Sequence, residues 1–165
     1  MMNFSRILLF LIFFHLGTSY AKEESSICQK LNLFSLLKLE VIPTHLHPVI
    51  YLVSKGTPST LSQVKYEDYS DYESGKISEE HEITLSGIQF ESIRQKLDAA
   101  LELPLKDKSH GKDGTIWTLE SYLYQPFKIS IWSPTHKPKD RGYVNLIELE
   151  KHLKSIVNKH KGVSK

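Results

Sequence analysis

The chain has 165 residues, of which 40% are hydrophobic, 10% aromatic and 24% charged, a balance that fits one folded domain and excludes a disordered or multi-domain chain. Its 21 basic and 19 acidic side chains leave a formal charge of +2, too even for a nucleic-acid or anionic-membrane footprint. A single cysteine, Cys28, excludes an internal disulfide, so the core must hold without a covalent staple.

Residues 1–21 read as a signal peptide. Arg6 gives a positive start, Ile7 to Phe14 an apolar stretch, and Ser19 and Ala21 the two small residues before a cleavage point, so the mature chain is expected to begin near Lys22. The apolar run is well short of the roughly 20 residues that span a bilayer, so no stable membrane anchor is expected after cleavage. The expected location is the periplasm or the medium. Cys28 lacks the flanking pattern of a lipid attachment site.

Residues 22–46 are expected to form an N-terminal helical segment, because Ile27, Leu31, Phe34 and Leu37 recur at spacings of three and four before Pro43. Residues 47–160 then read as a single α+β domain. His47 to Lys55 is a β-branched and aromatic run closed by Gly56 and Pro58, hence a buried strand. Leu61 to Tyr66 and Ile77 to Leu85 are the next strands. The connection between them alternates tyrosines with carboxylates, and Tyr66, Glu67, Asp68, Tyr69, Asp71 and Tyr72 are candidate binding residues, since tyrosine adds contact area at small entropic cost.

Ser86 and Gln89 spell a capping box, and Phe90, Ile93, Leu97, Ala100 and Leu101 give the helix that follows one apolar stripe. Pro104 ends this stretch. "TIWTLES" and "FKISIWS" alternate as two strands of a hairpin, in which Trp117 and Trp132 would approach as a cross-strand pair if the register allows. A final helix places Tyr143, Leu146, Leu149, Leu153 and Ile156 on one stripe. The order predicts an antiparallel sheet of about five strands with helices packed mainly on one face.

Asp113, Gly114, Trp117 and Glu120, followed by Trp132, Ser133 and Pro134, carry a resemblance. Over residues 47 to 158 the chain resembles a family of small exported bacterial proteins sharing an Asp-Gly-x-x-Trp-x-x-Glu segment and a later Trp-Ser-Pro. The resemblance implies export and fold and brings no activity. Where that family often has an arginine before the second tryptophan, this chain has Ile131, which removes an arginine partner for Glu120.

Two readings of the tryptophans follow. In one they fill the core; in the other Trp117, Glu120 and Trp132 line a groove for a sugar, a peptide or a cationic side chain. Strict alternation puts Trp117 and Glu120 on opposite faces, which counts against the groove.

Catalytic constellations are weak. His45 and His47 are spaced as a metal-ligand pair without a third ligand, so neither metal nor cofactor is expected. Ser109, His110 and Asp113 are triad residue types crowded into one loop without a nucleophile elbow, so no catalytic residue is assigned. The expectation is a non-enzymatic exported binding protein with an unidentified protein partner, of inhibitor or immunity type against a toxin or cell-wall hydrolase. The alternatives are a small exported hydrolase using His110, Asp113 and Glu120, or a structural envelope component.

Overall fold

The computed structural model describes residues 35–68, 76–104, 109, 111 and 114–163. Six strands form one sheet: β1 (Ser35–Pro43), β2 (Val49–Ser54), β3 (Thr60–Tyr66), β4 (Ile77–Thr84), β5 (Thr115–Ser121) and β6 (Phe127–Trp132). Helix α1 (Gly87–Ala100) separates β4 from β5, and α2 (Pro138–Arg141) and α3 (Val144–Val163) end the described chain. The strand order is β4-β3-β2-β1-β5-β6, and every neighbouring pair is antiparallel.

This is the α+β arrangement expected, with one strand more. The additional strand is β1, which occupies Ser35–Pro43 where a helix was expected. The helical spacing of Phe34 and Leu37 competes there with the alternation of Leu37, Leu39 and Val41, and tertiary pairing decides between them. β1 is hydrogen-bonded to β2 on one side and to β5 on the other, so its backbone is satisfied twice over and Leu37 and Leu39 are fully buried. The expected helical stretch before Ser35, including Ile27, Cys28 and Leu31, lies outside the described residues, as do the 21 residues of the expected signal peptide.

The core sits on one face of the sheet. Leu37 and Leu39 of β1, Tyr51 and Val53 of β2, Leu61 of β3, Ile83 of β4, Trp117 and Leu119 of β5 and Ile131 of β6 pack against the helices. From α1 come Ile93, Leu97 and Ala100; from α3 come Leu146, Leu149, Leu153, Ile156 and Val157, with Tyr143 just before it. The stripes read from the sequence are these. The register of β1 slips between Ser35 and Leu37, a bulge that lets the adjacent Leu36 and Leu37 both join the core.

Local devices hold the helices in place. The Ser86 Oγ accepts from the Gln89 N–H at 3.2 Å while the Gln89 side chain accepts from the Ser86 N–H at 2.9 Å, so the capping box is complete. At the other end of α1, Asn145 of α3 donates to the Ala99 carbonyl at 3.1 Å, and Ser92 meets His152 at 3.1 Å between the two helices. Tyr51 donates to Glu150 at 3.4 Å, tying the middle of α3 to the sheet. Burial, then the neighbouring Glu150 charge, pushes the Tyr51 phenol well above the usual tyrosine range; burial likewise raises Glu150.

On the opposite face a smaller apolar cluster gathers Ile50, Leu52, Val64 and Tyr66, with Ile77 against it. Around it the face is charged, with Lys38 paired to Glu40 and Lys128 to Glu120. No helix among the described residues is long and apolar enough to cross a membrane.

The two kinds of support for α1 should separate in urea unfolding. Leu97→Ala, which opens a cavity in the fully buried stripe, should cost about 2–5 kcal/mol. Ser86→Ala, which removes only the cap, should cost about 1 kcal/mol.

Candidate functional site

Gly114, Trp132, Ser133 and Pro134 build a corner where β1 and β6 end and β5 begins. Thr44 clasps Gly114: its backbone N–H donates to the Gly114 carbonyl at 2.9 Å, and its hydroxyl accepts from the Gly114 N–H at 3.0 Å. The Trp132 indole lies across Gly111 and Gly114, where a Cβ on either glycine would strike the ring. Here glycine is needed for close approach rather than for an unusual backbone angle.

Ser133 takes a left-handed conformation with φ 41°, and its hydroxyl accepts from the Thr115 N–H at 3.2 Å while its own N–H donates to the Thr115 carbonyl at 2.7 Å. Arg141 closes the corner. It donates to the carbonyls of Trp132 at 2.8 Å, Ser133 at 2.6 Å and His136 at 3.1 Å, with its guanidinium 5.0 Å from the Tyr143 ring centroid. Gly142, at φ 74°, supplies the left-handed turn that ends α2 and brings Tyr143 into the core. Pro134 is buried in the same turn.

The two tryptophans do not form the cross-strand pair expected of them. Trp117 stands opposite Ile131 and Trp132 opposite Ile116, so the indoles occupy different faces of the hairpin. Trp117 is core, 4% exposed, with an indole N–H that has no hydrogen-bond partner. Leaving that donor unpaired costs about 1–3 kcal/mol, so packing alone must hold the ring. Glu120 faces away from Trp117, as alternation required, and meets Lys128 directly across the hairpin at 2.7 Å. That carboxylate raises Lys128 above the ordinary lysine range. Trp117, Glu120 and Trp132 therefore line no common groove.

Of the remaining candidates, Tyr66, Glu67 and Asp68 lie toward the β4 edge of the sheet. Tyr66 is 4% exposed and packs in the second-face cluster rather than on a binding surface. Glu67 and Asp68 are exposed at the end of β3, and Glu67 pairs with Lys76. Tyr69, Asp71, Tyr72, His110 and Asp113 lie outside the described residues. His45 and His47 are exposed in the turn between β1 and β2. Six strands at about 4.8 Å spacing put β4 and β6 roughly 24 Å apart, so the β4 edge and the Trp132 strand are opposite sides of the sheet.

Beside β4 the structure gathers ionisable groups that the sequence did not suggest belonged together. Glu79 accepts from Lys161 of α3 at 2.8 Å and meets His81 Nε2 at 2.7 Å; Lys161 also reaches Gln63 at 3.5 Å. A cleft of about 400 Å³ opens there, lined by these groups with Val157 and His160. The hydrogen bond with His81, then that with Lys161, lowers the Glu79 carboxyl to about 2. The only signal available in the sequence was the alternation of β4, which puts Glu79 and His81 on one face; the approach of Lys161 comes from the docking of α3.

No family model, curated protein or solved structure matches the chain.

Two outcomes follow from this geometry. Gly114→Ala should destabilise the fold by about 1–3 kcal/mol in denaturant unfolding, because the added methyl displaces Trp132. For Glu79 the folded carboxyl is lowered, so its stabilisation is complete above the unfolded value near 4.5 and is lost as pH falls toward about 2. The side chain is 38% exposed, so screening holds the contribution to about 1 kcal/mol or less. Glu79→Gln should flatten melting temperature against pH in that acid window, leaving the curve above pH 6 parallel to the parent.

Proposed function

We propose that this chain is an exported, non-enzymatic binding protein of inhibitor or immunity type, which covers the site of a toxin or cell-wall hydrolase with the acidic edge formed by β4 and the end of β3. The observation that carries this reading is the edge strand itself. β4 ends the sheet, and its sequence Ile77–Thr84 alternates so that Glu80 and Glu82 are exposed on the face away from the helices. Asp68 extends the same acidic edge at the end of β3, beside Glu67, which pairs with Lys76.

The chemistry suits a basic partner surface. Exposed carboxylates steer a cationic partner into contact and fix its register, while the outer backbone groups of an edge strand offer hydrogen bonds to a strand added alongside. The same charges oppose edge-to-edge pairing with another copy of this chain, since two acidic edges repel. The inhibitor reading also draws on the expected signal peptide. A hydrolase built on His110, Asp113 and Glu120 gains nothing from the structure, because Glu120 is engaged with Lys128 on the hairpin.

The test is retention of a partner by the immobilised chain from envelope and secreted extracts. The parent should hold a basic protein at low ionic strength and release it progressively as salt rises. A Glu80→Lys, Glu82→Lys variant with unchanged melting temperature should retain less than a tenth as much. Equal retention by the two would remove the acidic edge from the interaction.

A further inference from the structure

At the strand ends opposite the Gly114 corner lies a second cleft, of about 510 Å³, between the start of β1, the residue after β2, the residues after β5 and the first turns of α1. We propose that it binds a small amphipathic anion: an aliphatic body of about eight carbons with one carboxylate head. The cleft shares no residue with the acidic edge, so this inference stands apart from the partner reading.

The first observation is an incomplete hydrogen-bond set. Ser35 opens β1 and lines the cleft; it is 7% exposed, and its Oγ is enclosed without a hydrogen-bond partner. Buried hydroxyls in folded proteins are almost always paired, and an exception calls for a group that completes it. The neighbouring backbone does not compete for that role. The Tyr122 N–H already donates to the Leu36 carbonyl at 3.0 Å, and the Leu123 N–H to the Ser121 hydroxyl at 3.2 Å. The Ser35 hydroxyl is left to donate to an oxygen entering the cleft.

The second observation is the character of the walls. Leu36, turned inward by the β1 bulge, forms the apolar lining with Phe90 and Leu123. Tyr122, half exposed, edges the mouth. Among the described residues, the charged ones lining it are both cations, Lys55 and Arg94. Arg94 is held by Glu91 through two hydrogen bonds, at 2.8 and 2.7 Å, so its charge is already paired and its position is fixed. Lys55, exposed on a flexible stem just past β2, is the cation able to turn onto a head group.

Apolar walls with a few placed polar groups are the usual make-up of a small-molecule site, and the volume falls within the usual range of such sites. The head group is assigned by charge, since a carboxylate takes both the Ser35 hydroxyl and the Lys55 ammonium, whereas an alcohol takes them without charge gain and an amine is repelled.

Titration calorimetry of the full chain with octanoate, 1-octanol and octylammonium tests this, with amide chemical shifts to locate binding. Octanoate should bind at least tenfold tighter than octylammonium and shift the resonances of Leu36 and Leu123. Lys55→Glu, an exposed change that should leave the melting temperature unaltered, should abolish that preference. Ser35→Ala should weaken octanoate and octanol alike, each severalfold, since both accept from its hydroxyl. Failure of all three probes to bind, equal binding of octanoate and octylammonium, or a preference that survives Lys55→Glu would each overturn the proposal.

Discussion

The two-sided ladder of β1 is the constraint on which the rest of the sheet depends. β2, β3 and β4 form a meander, and β5 and β6 form a hairpin, but the two are joined only through β1, which pairs with β2 from Ser35 to Val41 and with β5 from Leu37 to Pro43. Its inward residues Leu37 and Leu39 are fully buried between Val53 and Tyr51 on one side and Ser121 and Leu119 on the other. A two-stranded hairpin is marginal alone, and the helices need a continuous apolar face on which to lie. β1 supplies that continuity. Its pairing with β2 is a local hairpin but that with β5 is long-range, so β1 and β5 can meet only after the chain has closed a loop containing the meander and α1.

The Gly114 corner depends on the same strand. Thr44 follows β1 directly, and its clasp on Gly114 begins β5 in register with Pro43. Once β5 starts there, Trp132 opposite Ile116 is carried over the two glycines, and the left-handed Ser133 turns the chain toward α2. Arg141 then donates to three carbonyls of the turn, those of Trp132, Ser133 and His136. Gly114 and Trp132-Ser133-Pro134 thus mark a structural junction, in which an aromatic ring needs a bare backbone beneath it. A steric requirement and a turn requirement coincide there within a few residues.

The parts of the fold legible in the sequence were those fixed locally. The α1 capping box, the α3 stripe from Leu146 to Ile156 and the alternation of β6 each depend on residues a few positions apart, and each is present. β1 was misread because a short apolar run such as Ser35–Pro43 satisfies helical and strand spacing alike, and only its two partners decide. The tryptophans were misassigned as a pair for a related reason: alternation sets the face of each residue, but the hairpin register sets who stands opposite whom. A shift of one residue separates Trp117 from Trp132. Arg141 and Thr44 gave no signal at all, since their roles are contacts to backbone carbonyls and amides, which any sequence possesses.

The same division explains where the ionisable groups ended up. Covering the centre of one face of the sheet with α1 and α3 keeps charges out of that centre, because it has no room for an unpaired ion. Lys38 with Glu40 and Lys128 with Glu120 take the far face in pairs. Glu79 and His81 point to the helix side, and they are tolerated there because β4 is the edge strand and Lys161, on the last turns of α3, reaches them. Had β4 been central, Glu79 and His81 would have been carried under the helices, where an unpaired ion has no room. The acidic pattern of β4 is therefore compatible only with an edge, and the edge is where a second molecule can reach both the carboxylates and the outer backbone groups.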